Sequence, residues 1–157
     1  MKHRAFFILH LFSLALLLHA CHTGKKGTQE EASTEDVNPY AFEFVESDLL
    51  SPVLEQAGRE GKLVFIDMYA TWCAPCRLME EEVFTDEEVA AYFNENFINY
   101  RVDTEKGNGV NLAGIFEVRV LPTLLFLNEK GQVLVRKEGA AMQTEMLSLA
   151  KEAVARR

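Results

Sequence analysis

The chain has 157 residues, 48% hydrophobic and 25% charged, with a formal net charge of −8. That describes one ordinary globular domain, long enough to bury a core without several disulfides. The acidic balance argues against a nucleic-acid partner, because phosphate binding needs clustered Lys and Arg.

Three cysteines are too few for a disulfide scaffold, so their positions matter more than their number. Cys21 stands alone near the N-terminus, and Cys73 and Cys76 form a Cys-x-x-Cys pair.

Residues 1–20 read as a lipoprotein-type secretory signal. Lys2, His3 and Arg4 make a positive start, and Ala5 to Leu18 is an apolar run interrupted by His10 and Ser13. A membrane-spanning helix needs about 20 apolar residues, so this run is short for a permanent span. Leu18-His19-Ala20-Cys21 resembles a bacterial lipobox, in which the cysteine thiol receives a diacylglycerol and becomes the mature N-terminus. His19 departs from that pattern, and the alternative is plain cleavage that leaves Cys21 as a free thiol. Residues 21–40 are polar and acidic, with too little apolar surface to order themselves, and read as a flexible tether. The domain is expected over 41–157.

Within it, Ser47 is expected to cap a helix from Asp48 to Glu60, with Pro52 tolerated near its start. Leu63-Val64-Phe65-Ile66 is a continuous apolar run that suits a central strand buried on both faces. A helix follows from Cys73 to Val83. Thr85 and Glu88 have capping-box spacing, which predicts a helix over Asp86–Asn94 burying Val89, Tyr92 and Phe93. Phe97–Val102 reads as a strand, Lys106–Gly109 as a loop and Leu112–Phe116 as a short helix. Thr123–Leu127 and Val133–Arg136 form a hairpin around the turn Asn128–Gly131. Met142–Ala155 is a terminal amphipathic helix with Met146, Leu149, Ala150 and Val154 on one face. This order predicts an α/β fold with a central mixed sheet flanked by helices on both faces.

Trp72-Cys73-Ala74-Pro75-Cys76 follows the buried strand and opens a helix. The first turn of a helix leaves backbone N–H groups unpaired, and together with the macrodipole they act like roughly half a positive charge. A thiolate placed there is stabilised. Cys73, at the helix start, is expected to be the exposed nucleophile. Cys76, three residues on, is expected to be the resolving thiol. Pro75 fits the first turn, where its missing N–H is harmless.

The main rival is half of a zinc site, which needs two more ligands. All four histidines lie at positions 3, 10, 19 and 22, so the domain supplies neither a histidine ligand nor a Cys-His hydrolase pair. No metal and no cofactor is expected. A purely structural disulfide is a weak alternative, because so short a loop stabilises little.

Phe65 to Arg77 resembles the strand-to-active-site motif of the thioredoxin family. Val118-Arg119-Val120-Leu121-Pro122-Thr123 is similar to that family's Ile/Val-Pro-Thr element. Gly131 and Gly139 match two further family glycines. The resemblance covers Leu49 to Ala155 and implies a thioredoxin fold and thiol–disulfide oxidoreductase activity. It implies that Asp67 is a buried acid beneath the cysteine pair, able to exchange a proton with Cys76. It implies that Pro122 is cis and sets the Leu121 backbone beside the sulfurs, where an extended substrate can pair with it. Trp72, Ala74, Pro75, Leu121 and Thr123 are then the substrate-binding residues, with Trp72 shielding the pair.

Three departures stand out. Asn99-Tyr100-Arg101 lies where many members carry a lysine near the buried acid. Val120 replaces a glycine before the proline, which narrows the groove. Arg77 to Val89 lacks the kinking proline and looks more like exported domains related to the C-terminal domain of the bacterial membrane disulfide reductase. Strong oxidants of the family carry Pro-His between the cysteines, whereas Ala74-Pro75 resembles reductases. The expectation is a monomeric, lipid-anchored reductase of disulfides in exported proteins, on the periplasmic side of a bacterial membrane and fed by a membrane thiol–disulfide electron donor. The alternatives are an oxidase or isomerase with the same chemistry, or a non-enzymatic binding module.

Overall fold

The computed structural model describes residues 41–157. The expected signal and tether, with Cys21, lie outside them. The elements in chain order are β1 (Phe44–Val45), α1 (Leu50–Glu60), β2 (Leu63–Tyr69), α2 (Ala74–Glu82), α3 (Glu87–Asn96), β3 (Phe97–Asp103), α4 (Gly109–Ile115), β4 (Thr123–Leu127), β5 (Val133–Glu138) and α5 (Gln143–Ala155). The strands form one mixed sheet in the order β1-β3-β2-β4-β5. β1 and β2 run parallel to β3, while β4 is antiparallel to both β2 and β5.

β2 is central because its run can be buried on both faces. Alternation sends Leu63 and Phe65 to one side and Val64, Ile66 and Met68 to the other. The first side packs against Met79 of α2, Val89 and Phe93 of α3, and Met146 and Ala150 of α5. The second packs against Val53 and Ala57 of α1 and Leu112 of α4. Helices therefore cover both faces, as a central strand that is apolar on both sides requires. Asp67 falls on the α2 side by the same alternation.

Several local expectations are corrected. Ser47 does not cap α1. Its hydroxyl donates to the Leu49 carbonyl at 2.7 Å in a local turn, and the helix starts at Leu50 without a side-chain cap. The Thr85 capping box does not form either. Thr85 Oγ1 donates back to the Glu81 carbonyl, and Asp86 Oδ1 accepts the Val89 N–H at 2.9 Å instead. Both residue types cap helices well, but a carboxylate also complements the positive helix end. On α5 the fully buried positions are Met146, Ala150 and Ala153, with Leu149 and Val154 only partly covered.

β1 is absent from the sequence-based expectation, being two residues that pair only with β3. α4 begins at Gly109 rather than at Leu112. A Cβ at Gly109 would lie 2.0 Å from the Asp103 carbonyl oxygen, so only glycine lets the chain turn back so closely on the end of β3. That turn also carries Glu105, which reaches the site.

Candidate active site

Cys73 is the N-cap of α2, in extended conformation just before Ala74. Its Sγ accepts the Cys76 backbone N–H at 3.2 Å, which is one of the otherwise unpaired donors of the first turn. The two cysteines are joined as a disulfide with S–S 2.08 Å and Cα–Cα 5.3 Å. The apolar β2 run ends at Tyr69, and Cys73 N–H donates to the Ala70 carbonyl at 3.0 Å. Strand and helix are thereby joined by a tight turn that holds the pair at the helix tip.

The sulfurs are more enclosed than the sequence predicts. Cys73 is 2% exposed and Cys76 is 1% exposed, so Cys73 is not the open residue expected from its position. The cover comes from Tyr69 and Leu121, which pack against Ala70 and the two cysteines. Trp72, expected to shield the pair, lies at the surface. It is 65% exposed, and its indole N–H donates to Glu105 Oε1 at 3.0 Å. Ala74 and Pro75 are exposed on the rim.

The Leu121–Pro122 peptide is cis. The loop is pinned from both sides. Thr123 Oγ1 donates to the Val120 carbonyl at 2.6 Å, and Gly139 N–H donates to the Pro122 carbonyl at 2.8 Å. Gly139 has φ 84°, a left-handed conformation that glycine adopts without penalty. Thr123, expected among the substrate contacts, is fully buried, and its side chain shapes this loop. Leu121 is half-buried and touches the cysteine cluster, while Val120 is exposed.

Asp67 lies one strand residue before Met68, which pairs with Thr123. It is 1% exposed. Burial pushes its carboxyl up to about 6, against the opposing pull of the Arg101 guanidinium, with the Glu80 charge adding to the rise. Arg101 faces Asp67 across the parallel β2–β3 register and donates from Nε to Asp67 Oδ2 at 3.1 Å. An arginine thus occupies the cation's place although no lysine is present. The parity of β3 could have revealed it, since Phe97, Asn99 and Arg101 share one face. Glu80, which holds Arg101 from α2, carried no signal in the sequence beyond its place on the helix.

The raised carboxyl makes a stability prediction. An acid whose folded value lies above its unfolded value of about 3.9 costs nothing below pH 4. Its cost grows as pH rises through 4 to 6 and is complete above that. Asp67→Asn is therefore expected to stabilise the domain at pH 7 by up to about 3 kcal/mol, a gain that vanishes by pH 4. Urea unfolding of both proteins at the two pH values checks this, and a pH-independent difference would contradict it.

Comparison with known proteins bears on this geometry. The profile of the thioredoxin-like domain family matches residues 50–153. Over 107 residues the chain is 36% identical to the thiol:disulfide interchange protein DsbD of Actinobacillus pleuropneumoniae, a match covering 66% of this chain and 18% of that protein. It is 31% identical over 134 residues to the chloroplastic thioredoxin-like protein CITRX of Oryza sativa subsp. japonica, covering 80% and 67%. Among solved structures, a candidate disulphide-isomerase from Bacteroides thetaiotaomicron superposes with a TM-score of 0.66 at 40% identity, covering 74% of this chain and 96% of that one. The chain thus spans less than a fifth of the bacterial interchange protein and about two thirds of the rice relative.

Proposed function

Because the chain belongs to the thioredoxin-like domain family, we propose that it is a thiol–disulfide oxidoreductase that reduces disulfides of exported proteins through Cys73 and Cys76. One observation carries the reading: the Cys73 sulfur caps α2 and accepts the Cys76 N–H while bonded to the Cys76 sulfur. A donor that stabilises charge on sulfur is thereby built into the position where a thiolate must form.

In the reduced protein the Cys73 thiolate attacks one sulfur of a substrate disulfide and expels the other as a thiolate. Cys76 then attacks Cys73 of the mixed disulfide, closing the 73–76 bond and releasing the second substrate sulfur. Two electrons pass to the substrate, which leaves with two thiols after taking up two protons. Asp67 serves as the proton partner of Cys76, a role supported by its burial on the α2 side and its raised carboxyl. The cis-Pro122 loop presents Leu121 to an extended substrate, with Trp72, Ala74 and Pro75 on the rim. A thiol–disulfide donor at the membrane returns the pair to the dithiol form, a role consistent with similarity to an interchange protein.

The site of action follows from the leader. The tripartite start and Leu18-His19-Ala20-Cys21 support export and lipid attachment at Cys21, with residues 21–40 as tether and 41–157 as the redox domain on the periplasmic side. No helix among the described residues is long and apolar enough to cross a membrane.

The direction of electron flow rests on Ala74-Pro75, which offers no histidine to favour the thiolate further. Equilibration of the Cys73–Cys76 couple with a redox buffer tests it. A reduction potential near −270 mV is expected; one near −180 mV would favour the isomerase reading, and one near −120 mV would reverse the direction.

A further inference from the structure

Among the described residues, the buried acid is linked through Arg101 to a second carboxylate, Glu80. Arg101 Nε lies 3.1 Å from Asp67 Oδ2, and Arg101 Nη2 lies 2.5 Å from Glu80 Oε1. The three side chains are 15%, 2% and 25% exposed respectively, for Arg101, Asp67 and Glu80. The guanidinium carbon also stands 4.1 Å from the Tyr69 ring centroid, 5.5 Å from Phe84 and 5.6 Å from Phe44. Its faces are against aromatic rings and its N–H edges against carboxylates, an arrangement a planar delocalised cation allows.

We propose that Arg101 is a positioning residue for the dithiol site, its guanidinium divided between the Asp67 and Glu80 carboxylates so that Glu80 limits how firmly Asp67 is held. The inference rests on the thiol–disulfide reading and extends it to how the site's acid is controlled. With both acids ionised, the three residues carry one net negative charge. A proton arriving on Asp67 removes that charge and leaves an intact Arg101–Glu80 pair. Glu80 can thus remain the anchor while Asp67 takes and returns the proton.

Among the described residues few charged and titratable groups act on Asp67, and Cys76 does not titrate while it is disulfide-bonded. β3 supplies Arg101, α2 supplies Glu80, and β2 itself supplies Tyr69. Asp103 and Lys106 pair with each other at the rim and act on Tyr69. Removing either partner of Asp67 must then move its titration in opposite directions. Without Arg101, a buried carboxylate faces another carboxylate with no cation between them, and the proton binds more tightly. Without the Glu80 charge, more of Arg101's attraction falls on Asp67 and the repulsion from Glu80 is gone, so the proton binds less tightly. A lysine at 101 is a point charge with no fork, so it can hold one acid but not bridge two in this geometry.

The test follows the Asp67 carboxyl by carbon-13 NMR between pH 3 and 9, in the full oxidised chain labelled at aspartate, with no disulfide substrate present. Arg101→Met is expected to raise the midpoint by about one pH unit or more, a tenfold tightening of proton binding. Glu80→Gln is expected to lower it, and Arg101→Lys to leave it between wild type and Arg101→Met. Shifts of the same sign, or no shift in either variant, overturn the proposal. If Arg101→Met fails to fold, Glu80→Gln decides alone: a midpoint that stays or rises is the overturning result. Failure of wild type to turn over disulfides would sink the activity reading while leaving these midpoints as measured.

Discussion

Cys76→Ser is expected to change the protein from a turnover catalyst into a trap. With Cys73 intact, the first attack on a substrate disulfide still occurs, and the protein accumulates as a mixed disulfide through Cys73. No thiol of the protein is then placed to resolve it, so release waits on external thiol. Steady-state reduction of a disulfide-bonded test protein by dithiothreitol should lose the whole catalysed rate, on the order of a thousandfold or more. Cys73→Ser should lose the same rate without forming the adduct. The asymmetry follows from the helix tip: Cys73 is the N-cap that accepts a backbone N–H, whereas Cys76 lies within the first turn. Intact mass under non-reducing conditions reads the adduct directly. Trapping through Cys76 in Cys73→Ser, with none in Cys76→Ser, would reverse the assignment of the two thiols. Retention of turnover by both variants would refute the dithiol mechanism.

The enclosure of the pair bears on that experiment. Both cysteines are almost fully covered in the disulfide form, with Tyr69 and Leu121 against them. In the proposed mechanism a substrate disulfide is expected to meet Cys73 at the rim formed by Leu121, Trp72, Ala74 and Pro75. Compact, folded substrates should react more slowly than extended ones if substrate pairs as a strand alongside Leu121, as proposed.

The largest loss of stability is expected near the start of the domain's sequence. Phe42→Ala should destabilise the fold by about 3–5 kcal/mol, a large share of the 5–15 kcal/mol typical of a whole domain. Phe42 is fully buried, with ring centroids of Phe84 and Phe93 each at 5.0 Å, Phe44 at 5.6 Å and Phe65 at 6.3 Å. The backbone is tied in as well: Ala41 and Phe42 N–H groups both donate to the Phe84 carbonyl, at 2.9 and 3.2 Å. Truncation to alanine leaves a cavity whose walls are other rings, held in place by the sheet and by α3. Equilibrium unfolding in urea reads the loss, and a change under about 1 kcal/mol would mean the core closes without this ring. Phe44→Ala should cost less, because Phe44 is only partly buried.

Much of the site was legible because its signals are local. A Cys-x-x-Cys after an apolar run predicts a helix starting at the cysteines, and α2 is capped by Cys73. The run Thr123–Leu127 is bounded as expected, since five buried apolar-rich residues between a proline and a turn leave few alternatives. The cis bond at Pro122 followed only from resemblance to a family, because no local rule distinguishes it from a trans proline.

What the sequence determined by itself was whatever depends on a few neighbouring residues: which runs are strands and where the helix dipole meets sulfur. What only the tertiary structure decided was whatever depends on distant partners. The cap moved from Thr85 to Asp86, Arg101 took the lysine's place opposite Asp67, Tyr69 and Leu121 packed against the cysteine pair, and Phe42 joined a core built mostly from residues far along the chain. Propensities act over one or two turns of chain. Burial and ion pairing are settled by groups brought together only when the sheet closes, and Phe84, 42 residues beyond Phe42, is where that difference shows most directly.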